Sequence, residues 1–154
     1  AETKYRSIFE NAVEGIFQST VDGRYITVNP ALAQILGFST PEQVIDYYTD
    51  IGKQLYVNPN RRTEFIHLVE KHGNVSEFES QIYRHHNSSN NIVWISEKAY
   101  AVRDSLGNIL YYEGIIEDIT KRKRAEEALQ EQFDFLQVLI DTIPATICRM
   151  QQIF

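Results

Sequence analysis

The spacing of apolar residues divides the first part of the chain into one helix and a hairpin of two strands. Residues 3–13 place their apolar side chains three and four positions apart, which predicts an amphipathic helix. The segments 15–20 and 25–29 alternate between apolar and polar residues, as short strands do. Asp22 and Gly23 lie between them, and this pair favours a tight hairpin turn because both residues tolerate a positive φ.

Capping residues predict three short helices after the hairpin. Two of these helices begin with Asn-Pro and one with Thr-Pro, and proline is favoured at the first helical position, directly after a capping side chain. The first and third helices end at Gly37 and Gly73, because glycine favours the left-handed conformation that closes a helix. The predicted helices therefore occupy residues 29–37, a segment that starts at Thr40, and residues 58–73.

Strand-like alternation returns in the second half of the chain. The three predicted strands span residues 75–84, 92–102 and 109–117. A polar loop, HHNSSNN, joins the first two, a turn, RDSLGN, joins the last two, and a helical pattern begins at Ile119. This order predicts an α+β fold: a five-stranded antiparallel sheet with short helices on one face, followed by a long C-terminal helix.

The composition is that of one globular domain with an appendage. The chain has 154 residues, of which 43% are hydrophobic and 23% are charged, enough to bury a single core. The net charge of −6 argues against nucleic-acid binding, which depends on basic surface. The basic run 121–124 has acidic neighbours and does not change that expectation. No apolar run reaches the roughly 18 residues of a membrane-spanning helix, so no membrane contact is expected.

Cysteine usage and the N-terminus favour a cytoplasmic piece of a longer protein. The single cysteine, Cys148, cannot form a disulfide within the chain, and the N-terminus carries no secretion signal. The first residue is Ala1 rather than methionine, which favours a fragment. We therefore expect a cytoplasmic location.

The sequence contains no motif of a common catalytic or metal site. The G-x-S-x-G, P-loop and H-E-x-x-H patterns are all missing, so we expect neither catalysis nor metal binding from this chain. His85 and His86 are adjacent, but neighbouring side chains of a strand point to opposite faces and are poorly placed to share one ion. We expect this pair to lie at a solvated hairpin tip.

Three stretches of the chain resemble the PAS family of sensory domains, including its C-terminal PAC motif. They are YRSIFENAVEGIFQSTVDGRYITVNPALAQILGF, FIHLVEKHGNVSEFESQIYR and YYEGIIEDITKRKRAEEAL, and the resemblance spans residues 5–124. The most specific feature is the triplet Asp118, Ile119 and Thr120, which such domains commonly carry before a charged helix. The resemblance implies the PAS fold and a regulatory role in signal transduction.

The resemblance also implies a ligand pocket between the sheet and the short helices. We expect no charged side chain to face it, and its hydroxyl groups, Ser80 and Ser96, would help to hold a small, largely apolar or aromatic ligand. The alternative is that the same side chains form a filled, closed core. The residues expected to line the pocket are Phe17, Val28, Leu32, Ile35, Leu36, Phe65, Leu68, Phe78, Ser80, Ile82, Trp94, Ser96 and Ile116.

The sequence does not identify a cofactor. Some PAS domains hold haem through a histidine on the helix before the third strand, where this chain has His67 and His72. We expect Phe65 and Leu68 to face the pocket, which turns His67 away, and His72 lies at the helix end, so haem is not expected. A covalent flavin adduct is not expected either, because the NCRFLQ segment of the flavin-binding members is missing.

The C-terminal helix carries an imperfect heptad pattern. The a positions are Arg122, Leu129, Leu136 and Ile143, and the d positions are Ala125, Gln132 and Leu139. This seam is poor at its start and becomes apolar in its second half. We therefore expect a homodimer that forms through the N-terminal and C-terminal helices.

The chain also resembles itself after a shift of 130 residues. The shift aligns SIFENAVEGIF (7–17) with QVLIDTIPATI (137–147), which predicts a tandem array with a second PAS domain starting near Phe135. The expected organisation is a PAS domain at 1–118, a signalling helix at 119–143 and the first strand of a truncated second PAS domain at 144–154.

The resemblance implies a sensory or relay module. Such a module senses a small ligand, or passes on a conformational change, and acts through a dimeric linker helix on downstream PAS and output domains of the same chain. The expected parent protein is a histidine kinase of a two-component system or a diguanylate cyclase. Two alternatives stay open: a passive dimerisation or spacer module with a closed core, and a haem-based gas sensor.

Overall fold

A computed structural model describes the backbone of residues 2–85 and 91–153, and the side chains of these residues up to position 143. The chain divides into two compact units, Ala1–Ile119 and Thr120–Phe154. Most of the polar loop predicted at 85–91, including His86, lies outside the described residues.

The elements follow the predicted order, with one additional short helix. The helices are α1 (Glu2–Asn11), α2 (Pro30–Leu36), α3 (Pro41–Tyr47), α4 (Ile51–Gln54), α5 (Arg61–His72) and α6 (Thr120–Ile153). The strands are β1 (Gly15–Ser19), β2 (Tyr25–Val28), β3 (Asn74–Arg84), β4 (Asn91–Arg103) and β5 (Ile109–Asp118).

The strands form one antiparallel sheet in the order β2-β1-β5-β4-β3. This confirms the predicted five-stranded antiparallel sheet. The first strand of the chain pairs with the last, so that Phe17 lies opposite Gly114. The chain therefore leaves the sheet from its central strand, at Asp118.

Side-chain caps fix the ends of the short helices as the sequence predicts. Asn29 accepts a hydrogen bond from the Leu32 N–H at 3.0 Å, and α2 ends at Gly37, which has a φ of 89°. Thr40 and Gln43 form a capping box at the start of α3. These local bonds satisfy backbone groups at the helix ends and so determine where each helix begins and ends.

Two details of the helical layer differ from the prediction. The four-residue helix α4, capped by Asp50, was missed because it is too short to show a helical period. The helix predicted from Asn58 begins only at Arg61, since the Asn58 side chain instead accepts the Asn60 N–H in a preceding turn, at 2.9 Å.

The core lies between the sheet and the short helices that follow β2. The largest fully buried side chains are Tyr48, Tyr56, Tyr112, Phe65, Leu32, Leu36, Ile51, Leu55, Ile82, Ile95, Ile116 and Val44. A bulge in β3 between Val75 and Phe78 places Glu77 at a φ of 50° and leaves both flanking apolar residues on the inner face. Four helices and the bulged strand thus close one apolar interior.

Helix α6 forms the second unit and extends to Ile153. The strand predicted over 144–154 is therefore wrong as a local structure: an extended segment needs a neighbouring strand to pair its backbone, whereas a helix pairs its own. The tandem second domain stays a prediction. Among the described residues, no helix is long and apolar enough to cross a bilayer.

Candidate functional site

Most residues predicted to line a pocket lie together in the core. Nine of them are buried, and Ile35 and Leu68 are half-buried and pack against the same core. The buried ones are Phe17, Val28, Leu32, Leu36, Phe65, Phe78, Ser80, Ile82 and Ile116. The structure therefore brings together the helical and strand residues that the sequence pattern assigned to one interior.

The prediction was wrong for Trp94 and Ser96, which lie on the outer face of β4. The buried residues of β4 are Val93, Ile95, Glu97 and Ala99. Because side chains alternate along a strand, an error of one position moves every assigned residue to the opposite face. Ser96 instead lines a groove on the outer face of the sheet, together with Lys98 and Glu117.

The inner face of β4 carries a buried carboxyl group. Glu97 is 2% exposed, and the Tyr56 hydroxyl donates a hydrogen bond to its Oε1 at 2.5 Å. Burial raises the pKa of Glu97, because the charged form loses its hydration; the Tyr56 bond and the positive charge of Arg62 act in the opposite direction and more weakly. The expectation of an uncharged interior was therefore wrong.

The raised pKa predicts a pH-dependent stability. Well below pH 4.5 the carboxyl is protonated in both folded and unfolded chains. As the pH rises from 4.5 towards the raised folded pKa, the unfolded chain releases this proton while the folded chain keeps it, which lowers the free energy of unfolding. We expect Glu97→Gln, which keeps an acceptor for Tyr56, to remove this loss. We expect urea unfolding from pH 4 to pH 8 to show that the free energy of unfolding of the variant rises relative to that of the natural chain as the pH increases. The exposed control Glu42→Gln should run parallel to the natural chain, and parallel curves for Glu97→Gln would contradict the prediction.

Two arginines at the start of α5 bring positive charge to the same interior. The guanidinium carbon of Arg61 lies 3.6 Å from the Phe78 ring centroid, and the Arg61 Nε donates to the Ser80 Oγ at 2.9 Å. The predicted ligand hydroxyl of Ser80 is therefore already bonded within the protein. Arg62 is only 8% exposed, and its Nη2 donates to the Thr20 carbonyl at 3.2 Å.

Arg62 lies against two aromatic rings of the core. Its guanidinium carbon is 4.9 Å from the Phe65 ring centroid and 5.4 Å from that of Tyr112. These distances allow cation–π attraction, which stabilises the charge without supplying hydrogen-bond acceptors. Within the described residues, the Arg62 Nε, the Tyr112 hydroxyl and the Ser19 Oγ are buried and have no hydrogen-bond partner.

These core groups were missed for identifiable reasons. Glu97 was missed because the assignment of Trp94 and Ser96 to the inner face of β4 leaves the alternate positions of the strand outside. Arg62 precedes the predicted lining residue Phe65 by three positions, the spacing that puts both on one face of α5, so the helical period carried a signal that was not used. Ser19 and Tyr112 alternate correctly with Phe17, Gly114 and Ile116, but their lack of partners is visible only in three dimensions.

The histidines lie outside this interior. His67 and His72 are exposed on α5. His85 is half-buried and stacks on the Phe38 ring, with centroids 4.7 Å apart and planes at 6°, rather than lying at a solvated tip. Both rings line a surface cavity of about 620 Å³. Among the residues that the structure describes, no group of His, Cys, Asp and Glu is arranged to hold a metal ion.

The predicted relay triplet joins the sheet to α6. Asp118 ends β5, is exposed, and lies opposite Ile95 in the sheet register. Ile119 is 4% exposed, and its N–H donates to the Trp94 carbonyl at 2.9 Å. Thr120 is the first residue of α6. A single anchored residue thus separates the central strand from the long helix.

Known proteins with similar sequences are much longer signalling proteins. The chain is 29% identical over 139 residues to the probable diguanylate cyclase DgcE of Escherichia coli strain K12, covering 85% of this chain and 12% of that protein. It is 24% identical over 143 residues to the sensor histidine kinase TmoS of Ectopseudomonas mendocina, covering 90% of this chain and 14% of that protein. The chain thus spans about an eighth of the length of these curated relatives.

The fold itself matches a solved domain. The crystal structure of a PAS domain from Colwellia psychrerythraea aligns with a TM-score of 0.65 and 21% identity, over 78% of this chain and 98% of that one. The family model described as PAS domain matches residues 13–121, well over half of the sequence, and includes all five strands of the described sheet. The chain therefore belongs to the PAS domain family.

Proposed function

We propose that the chain is a sensory or relay module that passes a conformational signal from its PAS core to an output domain. The observation that carries the proposal is the junction at Ile119, where the central strand β5 continues into a 34-residue helix with one buried residue between them. A change in the core that displaces β5 is transmitted along the backbone to the first turn of α6. Such a relay needs two states of similar free energy and a stimulus that favours one of them.

The relatives support a particular kind of parent protein. One is a probable diguanylate cyclase and the other a sensor histidine kinase, and each is far longer than this chain. We propose that this module works within a protein of one of these two kinds, with the enzymatic activity in another domain. A cytoplasmic location is part of the proposal, supported by the lone Cys148, which forms no disulfide within the chain.

The junction is tested by Asp118→Ala in a fusion that places the chain before the kinase domain of a histidine kinase. We expect the substitution to shift autophosphorylation towards the level of the same fusion without the PAS core, while the core still unfolds cooperatively in urea, since Asp118 is exposed and lies outside the apolar core. Asp46→Ala, an exposed aspartate on α3, is the matched control. Kinase activity equal to that of the natural fusion would reject the relay assignment.

The proposal includes a homodimer that forms through the helices. Side chains at the predicted seam of α6 are exposed within their own unit: Leu129 by 68%, Leu136 by 50%, Leu139 by 43% and Ile143 by 50%. Exposed apolar residues at a and d positions are buried when two such helices pair as a coiled coil. A helix–helix seam therefore provides a partner for surface that the single chain leaves in water.

Introducing negative charges at the seam tests whether the chain forms this dimer. We expect Leu136→Glu combined with Leu139→Glu to weaken self-association at least tenfold, because each dimer would bury four carboxylates. Sedimentation equilibrium of the purified chain measures the dissociation constant. Val138→Glu is the matched control, since Val138 is 64% exposed and lies at position c of the heptad. Equal weakening by the control, or no self-association of the natural chain, would contradict the seam.

A passive spacer with a closed core is the second candidate, and the filling of the interior favours it. Leu32, Leu36, Phe65, Ile82 and Ile116 are each 0% exposed. Native mass spectrometry separates the two functions: a co-purified small molecule supports sensing, and an unliganded chain supports the spacer or a pure relay. Since His67 and His72 are exposed, nothing favours extending the proposal to haem.

A further inference from the structure

Three buried polar side chains, each with an atom that has no hydrogen-bond partner among the described residues, come from neighbouring positions in the core. Ser19 on β1 lies opposite Tyr112 on β5 in the sheet register, and both side chains face inward. The guanidinium of Arg62 is 5.4 Å from the Tyr112 ring centroid and donates to the carbonyl of Thr20, the residue after Ser19. The three side chains are therefore neighbours, although they come from β1, β5 and α5.

The cluster has hydrogen-bonding capacity that the described residues do not use. The Ser19 Oγ, the Arg62 Nε and the Tyr112 hydroxyl have no partner there, and their residues are 0%, 8% and 0% exposed. A buried polar group without a hydrogen bond destabilises a fold, and nearly all such groups in native proteins are paired. Three such groups on neighbouring residues require partners that the described protein atoms do not supply.

The chemistry of the three groups selects the species. The Arg62 Nε can only donate, and both hydroxyls can donate as well. No carboxylate among the described residues lies within ion-pair distance of Arg62. The charge of Arg62 does act on the buried Glu97, but burial raises the pKa of Glu97, which favours its neutral form, and its Oε1 is bonded to Tyr56. A buried guanidinium charge requires compensation. A ligand that accepts three hydrogen bonds and carries a negative charge meets both requirements.

We propose that Ser19, Arg62 and Tyr112 form a binding site for a small monovalent anion inside the PAS core. The site takes chloride, bromide or a carboxylate group of similar size, held by two hydroxyl donors and one guanidinium N–H. The Arg62 stem packs against Gly52, where an added Cβ would lie 3.1 Å from the Arg62 Cβ, so helix α4 holds the arginine in place. A role for this anion in sensing rests on the proposed relay function, whereas the binding itself does not.

Bromide tests the site directly, because it replaces chloride and scatters anomalously. Crystals of the purified chain in sodium bromide should give an anomalous peak within hydrogen-bond distance of the Arg62 Nε. In solution, bromide added at constant ionic strength should raise the unfolding temperature along a saturable curve. Tyr112→Phe and Ser19→Ala, which each delete one donor and little volume, should weaken the apparent affinity about tenfold or more. Tyr48→Phe, a buried tyrosine outside the cluster, should leave it unchanged.

The outcomes separate the anion site from its alternatives. A non-anomalous water at the cluster, bromide bound only at the surface, or an unfolding temperature with no saturable response would overturn the proposal. Equal loss of affinity in Tyr48→Phe would assign the effect to general stability and overturn it as well. The kinase fusion tests the relay separately, so a normal bromide site with an unchanged Asp118→Ala fusion rejects the relay and retains the anion site.

Discussion

Replacement of Gly37 by alanine is expected to destabilise the PAS core by about 2–5 kcal/mol. Gly37 ends α2 with a φ of 89°, a conformation that costs an L residue roughly 1–2 kcal/mol. An added Cβ would also lie 1.8 Å from the His85 carbonyl oxygen, and backbone shifts that relieve overpacking cost about 1–3 kcal/mol. The two costs add because they have different origins. Urea unfolding followed by the fluorescence of Trp94 measures the loss.

Gly107 provides the matched control for this prediction. Its φ is 87°, nearly that of Gly37, but an added Cβ would meet nothing within 4 Å. Gly107→Ala should therefore cost only the backbone part, roughly 1–2 kcal/mol. The difference between the two variants isolates the contact between the end of α2 and the residue that follows β3. An equal loss of free energy of unfolding in both variants would mean that the backbone at His85 moves away from the added Cβ without destabilising the fold, which would contradict the prediction.

Truncation of Phe65 to alanine is expected to cost about 3–5 kcal/mol. Phe65 is 0% exposed, and its ring makes edge contacts with Phe78 and Tyr112 at centroid distances of 5.8 and 5.4 Å. It also lies under the Arg62 guanidinium, at 4.9 Å. Removing the ring therefore leaves a cavity and removes one of the two aromatic rings that contact the buried Arg62 guanidinium.

The size of this effect distinguishes a tight core from a loose one. Phe65→Leu keeps an apolar side chain of similar reach and should lose less than half as much as the alanine variant. Leu68→Ala, at a half-buried position three residues further along α5, is the second control and should also lose less. A cost below about 1 kcal/mol for Phe65→Ala would indicate that the core collapses around the gap, which would contradict the packing described.

Much of the fold could be predicted because its determinants are local. The Thr40 capping box and the glycine ends of α2 and α5 act within a few residues of sequence, and each is present as predicted. The chain also turns at Asp22-Gly23, although of this pair Gly23 alone has a positive φ, of 97°. Helix α4 escaped prediction because four residues do not complete a recognisable period. The C-terminal end of α6 was predicted as a strand because its sequence resembles one, but a strand needs a neighbouring strand to pair with, and a sequence pattern does not provide that partner.

The candidate site was predicted only in its apolar part. Alternation on β1, β3 and β5 correctly assigned Phe17, Phe78, Ser80 and Ile116 to the interior. On β4 a continuous run of residues suited to a strand gave no reliable choice of face, and the wrong choice excluded Glu97. Its register against β3 and β5, which pair Glu97 with Phe78 and with Ile116, settles the face.

The amino-acid sequence by itself determined the family, the order of the longer elements and part of the apolar core, because periodicity, caps and turns are local properties of the chain. Only the tertiary structure decided which polar groups share the interior. Ser19, Arg62 and Tyr112 are separated by 43 and 50 positions, and only the pairing of β1 with β5 and the packing of Arg62 beside Tyr112 make them neighbours. Whether a buried donor has a partner depends on distances between such remote residues, which no local pattern of sequence encodes.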